Sequence, residues 1–65
     1  MQLFLNGEPR EVSATTVAEL VESLELTGRR IAVERNEAIV PRSQYSSTRL
    51  EAEDRIEIVH AIGGG

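Results

Sequence analysis

A chain of 65 residues with no cysteine and a single histidine has to fold on packing alone. A domain this small buries only about 60% of the surface that its unfolded form exposes. Small domains commonly add disulfides or a structural metal to make up the difference. Disulfides are out of reach here, and His60 could not build a zinc site without help from carboxylates, so no metal is expected. With 40% apolar and 28% charged residues, the composition suits one compact core and not a disordered segment.

The apolar pattern says how that core is built. Gln2-Leu3-Phe4-Leu5-Asn6 reads as a strand, and Asn6-Gly7 is the strongest short-range signal for a β-hairpin. A second strand falls within Pro9 to Ser13, with Pro9 at its start or on a sheet edge because proline donates no ladder hydrogen bond. Thr16-Val17-Ala18-Glu19 has the form of a capping box. Val17, Leu20, Val21 and Leu24 then recur at the spacing of one helix face. One helix is predicted from Val17 to Leu26, with Gly28 as its C-terminal cap.

Ile31 to Arg35 alternates as a strand and turns at Asn36-Glu37. Ala38-Ile39-Val40 forms a further short strand that Pro41 ends, and one helical turn is expected around Tyr45. Glu51, Glu53 and Asp54 read as a solvated acidic turn. Arg55 to Ile62 is the last strand. A single helix on one face of a mixed sheet of four or five strands is the layer arrangement that this order allows. With the first and last strands adjacent and parallel, the fold is an α+β β-grasp. The expected organisation is a domain over residues 1–62 and a flexible glycine tail over 63–65.

Eleven acidic residues against seven arginines, with no lysine, leave a formal net charge of -4. A chain of that sign lacks the basic face that nucleic acid requires. No apolar run approaches the roughly 20 residues of a membrane span, and no signal pattern opens the chain. A cytoplasmic protein, a monomer when free and with no membrane or nucleic-acid partner, is the expectation.

Gly63-Gly64-Gly65 carries the chemistry. Glycines permit close backbone approach to another molecule, and three extended residues reach about 10 Å. Such an end could thread a narrow enzyme channel and present the Gly65 carboxylate, which ATP can convert to an acyl-adenylate open to sulfur attack. Gly65 is thus the reacting residue. Serines 43, 46 and 47 lie in no nucleophile-elbow context.

The whole chain resembles the ThiS family, the sulfur carriers of thiamine (thiazole) biosynthesis within the ubiquitin-like superfamily. The residues that carry the resemblance are Met1-Gln2-Leu3-Phe4-Leu5-Asn6-Gly7, Thr16-Val17-Ala18-Glu19-Leu20-Val21 and Ala32-Val33-Glu34-Arg35-Asn36. Ile39-Val40-Pro41-Arg42-Ser43-Gln44 and Glu57-Ile58-Val59-His60-Ala61-Ile62-Gly63-Gly64-Gly65 complete it. The resemblance implies a carrier that is not itself an enzyme and binds no cofactor. A ubiquitin-activating-like adenylyltransferase would adenylate Gly65 with ATP, with Gly64 as the other half of the required glycine pair and Gly63 as an addition that gives extra reach. Sulfur relayed from a cysteine desulfurase would turn it into a thiocarboxylate, and thiazole synthase would take that sulfur. The molybdopterin synthase small subunit shares the fold, the Gly-Gly end and the thiocarboxylate. A ubiquitin-like modifier would instead conjugate Gly65 to an amine.

Strand alternation places Leu3 and Leu5 on one face and Phe4 on the other, with Ile56 and Ile58 toward the helix. Phe4, Val59 and Ala61 would then form an apolar docking patch on the helix-free face. Gly63 and Ile62 join them as partner-binding residues at the root of the tail.

Overall fold

The computed structural model describes residues 1–60. Five strands form one mixed sheet: β1 (Gln2–Leu5), β2 (Glu8–Glu11), β3 (Ile31–Arg35), β4 (Ala38–Val40) and β5 (Arg55–His60). Their order across the sheet is β2-β1-β5-β3-β4. The helix α1 (Val17–Ser23) and a single 3-10 turn (Arg42–Gln44) lie in the two long connections. β1 runs parallel to β5, and every other pairing is antiparallel. This is the anticipated β-grasp, and of the four or five strands expected it has five.

The core forms where the apolar stripe of α1 meets one face of the sheet. Leu3, Val17, Leu20, Val33 and Ile56 are almost wholly buried, and Ile58, Val40, Leu50 and Ala14 close around them. Leu5, Leu24, Leu26 and Tyr45 pack against the margin. Alternation along the strands therefore holds: Leu3, Val33, Ile56 and Ile58 face the helix, and their neighbours face away. Pro9 sits inside β2, which is tolerated because β2 is an edge strand paired with β1 alone.

The start of α1 is close to expectation and its end is not. Thr16 is the N-cap, and its hydroxyl accepts from the Glu19 amide at 3.2 Å. The Glu19 carboxylate reaches one residue further back than a capping box requires. It accepts from the Thr15 amide at 2.7 Å and the Thr15 hydroxyl at 2.8 Å, and the Thr15 amide is the main cause holding its pKa below the ordinary value.

Helix α1 stops at Ser23, three residues before Leu26. The Glu25 amide bonds to the Glu22 carbonyl and the Leu26 amide to the Val21 carbonyl, with Glu25 at φ 61°. Those two bonds make a Schellman stop. Glu25 therefore occupies the left-handed position that Gly28 was expected to fill. Leu26 decides the outcome, because burying it beside Val21 needs the chain to reverse there.

Candidate functional site

β5 is the centre strand and the element that leads to residues 61–65, so the site is built along it. Two tight turns hold it. In Asn6-Gly7 both residues have positive φ, 51° and 85°, and in Asn36-Glu37 the values are 51° and 72°. Positive φ at both central positions is the type I′ geometry that matches strand twist. Each asparagine also reaches β5 with its side chain. Asn36 Oδ1 accepts from the Arg55 amide at 2.9 Å, and Asn6 Oδ1 accepts from the Ile58 amide at 2.9 Å.

The entry to β5 is pinned by a polar cluster. Arg35 Nε donates to Asp54 Oδ2 at 2.7 Å, and Asn36 Nδ2 donates to Asp54 Oδ1 at 3.0 Å. The Glu51 amide donates to Asp54 Oδ2 at 2.8 Å. Asp54 is only 6% exposed, which corrects the expectation of a solvated acidic turn; Glu51 and Glu53 do stay in solvent. Burial works to raise the Asp54 pKa. The Arg35 hydrogen bond, the Glu51 amide, Asn36 and the Arg35 charge outweigh it and hold the carboxyl below its usual value. The hydrogen bond that Arg35 donates to Asp54 in turn raises the Arg35 pKa. Arg35 and Asp54 are nineteen positions apart, so no local pattern announces the pair.

On the helix-free face, Phe4 lies level with Arg55, and Val59 lies opposite Ala32. Phe4 is half-buried, while Val59 is 57% exposed. The two share a face as expected. Four residues of β5, about 13 Å, separate their levels, and Glu57 stands between them, so they do not form one continuous apolar patch. Ile39, 64% exposed and opposite Glu34, is a large apolar residue of this face that sequence reasoning missed. A hollow of about 280 Å³ beside the end of β1 is lined by Phe4, Gly7, Arg55, Ile56 and Glu57. Ala61, Ile62, Gly63, Gly64 and Gly65 lie outside the described residues, as does the boundary drawn at residue 62.

No helix among the described residues is long and apolar enough to cross a membrane. His60 is exposed at the end of β5, opposite Ile31.

Comparison with known proteins places this architecture. The ThiS family model matches residues 3–65. A thiazole synthase of Magnetococcus marinus is 46% identical over 66 residues, a match that takes in the whole of this chain and 20% of that protein. The chain therefore spans about a fifth of that relative's length, and the same holds for a thiazole synthase of Paramagnetospirillum magneticum. The sulfur carrier protein ThiS of Bacillus subtilis is 40% identical over 50 residues, 77% of this chain and 76% of that one. The crystal structure of the thiamine biosynthesis protein ThiS from Geobacter metallireducens superposes with a TM-score of 0.86 over the full length of both chains, at 29% identity. A β-grasp body whose centre strand leads into Gly63-Gly64-Gly65, matched by that family from residue 3 to residue 65, makes this chain a member of the ThiS family.

Proposed function

We propose that this chain is a sulfur carrier of thiamine biosynthesis and that the carboxylate of Gly65 is its working group. One observation carries the reading: in a chain of the ThiS family, the sequence that follows the centre strand of the sheet carries, after Ala61-Ile62, three residues without side chains. The body supplies a handle and the glycines supply an unobstructed approach. The partner enzyme supplies positioning and charge stabilisation, so the carrier acts as a co-substrate and not as an enzyme.

The reaction follows from the carboxylate's chemistry. A Gly65 carboxylate oxygen attacks the α-phosphorus of ATP on an adenylyltransferase, and pyrophosphate leaves. The terminal sulfur of a persulfide drawn from a desulfurase relay then attacks the acyl carbon and AMP leaves. A second thiol cleaves the resulting acyl disulfide, forming a disulfide with the relay sulfur and releasing the thiocarboxylate. The resulting thiocarboxylate gives up its sulfur to thiazole synthase. Kinship with two thiazole synthases, each carrying a stretch similar to this chain within one polypeptide, favours that acceptor over a molybdopterin synthase.

Intact-mass spectrometry after incubation with the adenylyltransferase, ATP and a sulfur source tests the reading. A gain equal to exchanging one oxygen for sulfur, mapped to Gly65 and abolished by deleting it, is expected. No mass change under conditions that load the Bacillus carrier would overturn it.

A further inference from the structure

The Asn6-Gly7 turn is exposed, and its backbone is open to chemistry that the rest of the chain denies. The Gly7 amide donates to no acceptor among the described residues, and no heavy atom lies within 4 Å of where a Gly7 Cβ would stand. The Asn6 side chain is held by one hydrogen bond, in which Oδ1 accepts from the Ile58 amide at 2.9 Å, and its Nδ2 has no partner among the described residues. Asn36 has the same φ of 51° and likewise lends Oδ1 to a β5 amide. Its Nδ2, however, donates to Asp54 Oδ1 at 3.0 Å, and Glu37 follows it with a side chain.

We infer that Asn6-Gly7 is a site of spontaneous deamidation that reacts in the folded chain, while Asp54 shields Asn36. Hydroxide takes the Gly7 amide proton, and the Gly7 nitrogen attacks Asn6 Cγ. The N–Cγ bond forms, the Cγ–Nδ2 bond breaks, and Nδ2 takes a proton from solvent and leaves as ammonia. Water then opens the five-membered imide at either carbonyl. Aspartate or isoaspartate is left at position 6, and the Gly7 nitrogen regains its proton.

The hairpin accommodates the imide without unfolding. Ring closure sets the Gly7 nitrogen level with the Asn6 Cβ, at ψ of about −120°, which is the first central position of a type II′ turn. Asn6 already has the positive φ that this turn needs. A flip of the peptide plane between the two residues therefore suffices, and Gly7 accepts either sign of φ. Types I′ and II′ close the same two-residue loop, so the Leu5↔Glu8 pair is kept. The Ile58 amide already donates to Oδ1, where negative charge develops during the attack. At Asn36 the nitrogen that must depart is bonded to Asp54 instead. An isoaspartate at position 6 routes the backbone through the former side chain and leaves the Ile58 amide without its acceptor, so the reaction loosens β5 beside the turn.

Peptide mapping that separates aspartate from isoaspartate, after incubation at mildly alkaline pH, tests the inference. Glu37→Gly gives both turns a glycine, so local sequence no longer distinguishes the two asparagines. In that variant Asn6 is expected to convert several-fold faster than Asn36 while folded, and at a similar rate in denaturant, where the Asp54 contact is gone. In the wild-type chain Asn6 is expected to react when folded within about tenfold of its rate in denaturant, whereas a turn that had to unfold first would be slowed about a thousandfold or more.

Equal conversion of the two asparagines in folded Glu37→Gly, or slowing of Asn6 by the full folding equilibrium, would overturn the inference. Both readouts are made on the free chain, so neither result bears on the sulfur-carrier reading.

Discussion

The turns Asn6-Gly7 and Asn36-Glu37 have the same backbone shape and the same task, yet they differ in how they are supported. Each puts an asparagine at φ 51° and lends its Oδ1 to a β5 amide. The first has glycine at φ 85°, where no side-chain penalty arises, and the side chain of its asparagine makes a single hydrogen bond, to the Ile58 amide of β5. The second places Glu37 at φ 72°, a conformation that costs a non-glycine residue about 1 kcal/mol. Its asparagine also bonds Asp54, which Arg35 and the Glu51 amide hold in turn. A turn with the right residues stands by itself, whereas a turn with a wrong one is held by its surroundings. The braced turn secures the entry to β5; the relaxed one caps it where β1 ends.

The strongest way to break the contrast is to remove the brace. Asp54→Ala leaves Arg35 and Asn36 without their shared acceptor and should destabilise the fold by about 3 kcal/mol, measured by urea or thermal unfolding. At about 4–8 °C per kcal/mol for a domain of this size, the shift in melting temperature would be large. The same residue sets a pH dependence. The folded-state pKa of Asp54 lies below its unfolded value of about 3.9. Its contribution is therefore complete above about pH 4 and is lost as pH falls through the folded pKa. Stability of Asp54→Ala should accordingly fall less steeply than wild type on acidification below about pH 4, as read by unfolding at a series of pH values.

The asparagines test the two turns directly. Asn36→Ala removes the acceptor for the Arg55 amide and a donor to Asp54, and should cost about 2.5 kcal/mol. Asn6→Ala removes one acceptor, that of the Ile58 amide, and should cost about 1.5 kcal/mol, part of it from placing alanine at positive φ. Equal losses in denaturant unfolding would mean that the Asp54 contact adds nothing to the second turn.

How far these features were legible in the sequence follows from how local they are. Asn6-Gly7 announced its hairpin, and Val17, Leu20 and Val21 announced the buried helix face, because turn chemistry and helical period reach only a few residues along the chain. Asp54 was misjudged for the opposite reason. Within Glu51-Ala52-Glu53-Asp54 it looks like one solvated carboxylate among three, and Arg35 meets it only after β3 pairs with β5. The end of α1 turned on Leu26 docking beside Val21, against the stronger local signal of Gly28. Phe4 and Val59 were assigned to one face correctly from the pleat. Their separation depends on the parallel register Phe4↔Arg55, which neither strand encodes by itself. The glycines at 63–65 were read for their chemistry and lie outside the described residues.

The finest test exchanges the second residue of each turn. Gly7→Ala puts a Cβ at φ 85° with no heavy atom within 4 Å of it, so the cost is backbone strain alone, about 1 kcal/mol. Glu37→Gly releases the strain at φ 72° but gives the unfolded chain more freedom to lose, which leaves a net gain of about 0.5 kcal/mol. The two changes should therefore move the denaturation midpoint in opposite directions, the first downward and the second slightly upward, with the slope against denaturant unchanged. In an Asp54→Ala background the Glu37→Gly gain should be larger, because the relief arrives where the brace is gone and the sites are close enough to couple. An unchanged gain in that background would show that Asp54 steadies β5 alone, and that the strained Glu37 conformation is held by β3 and β4.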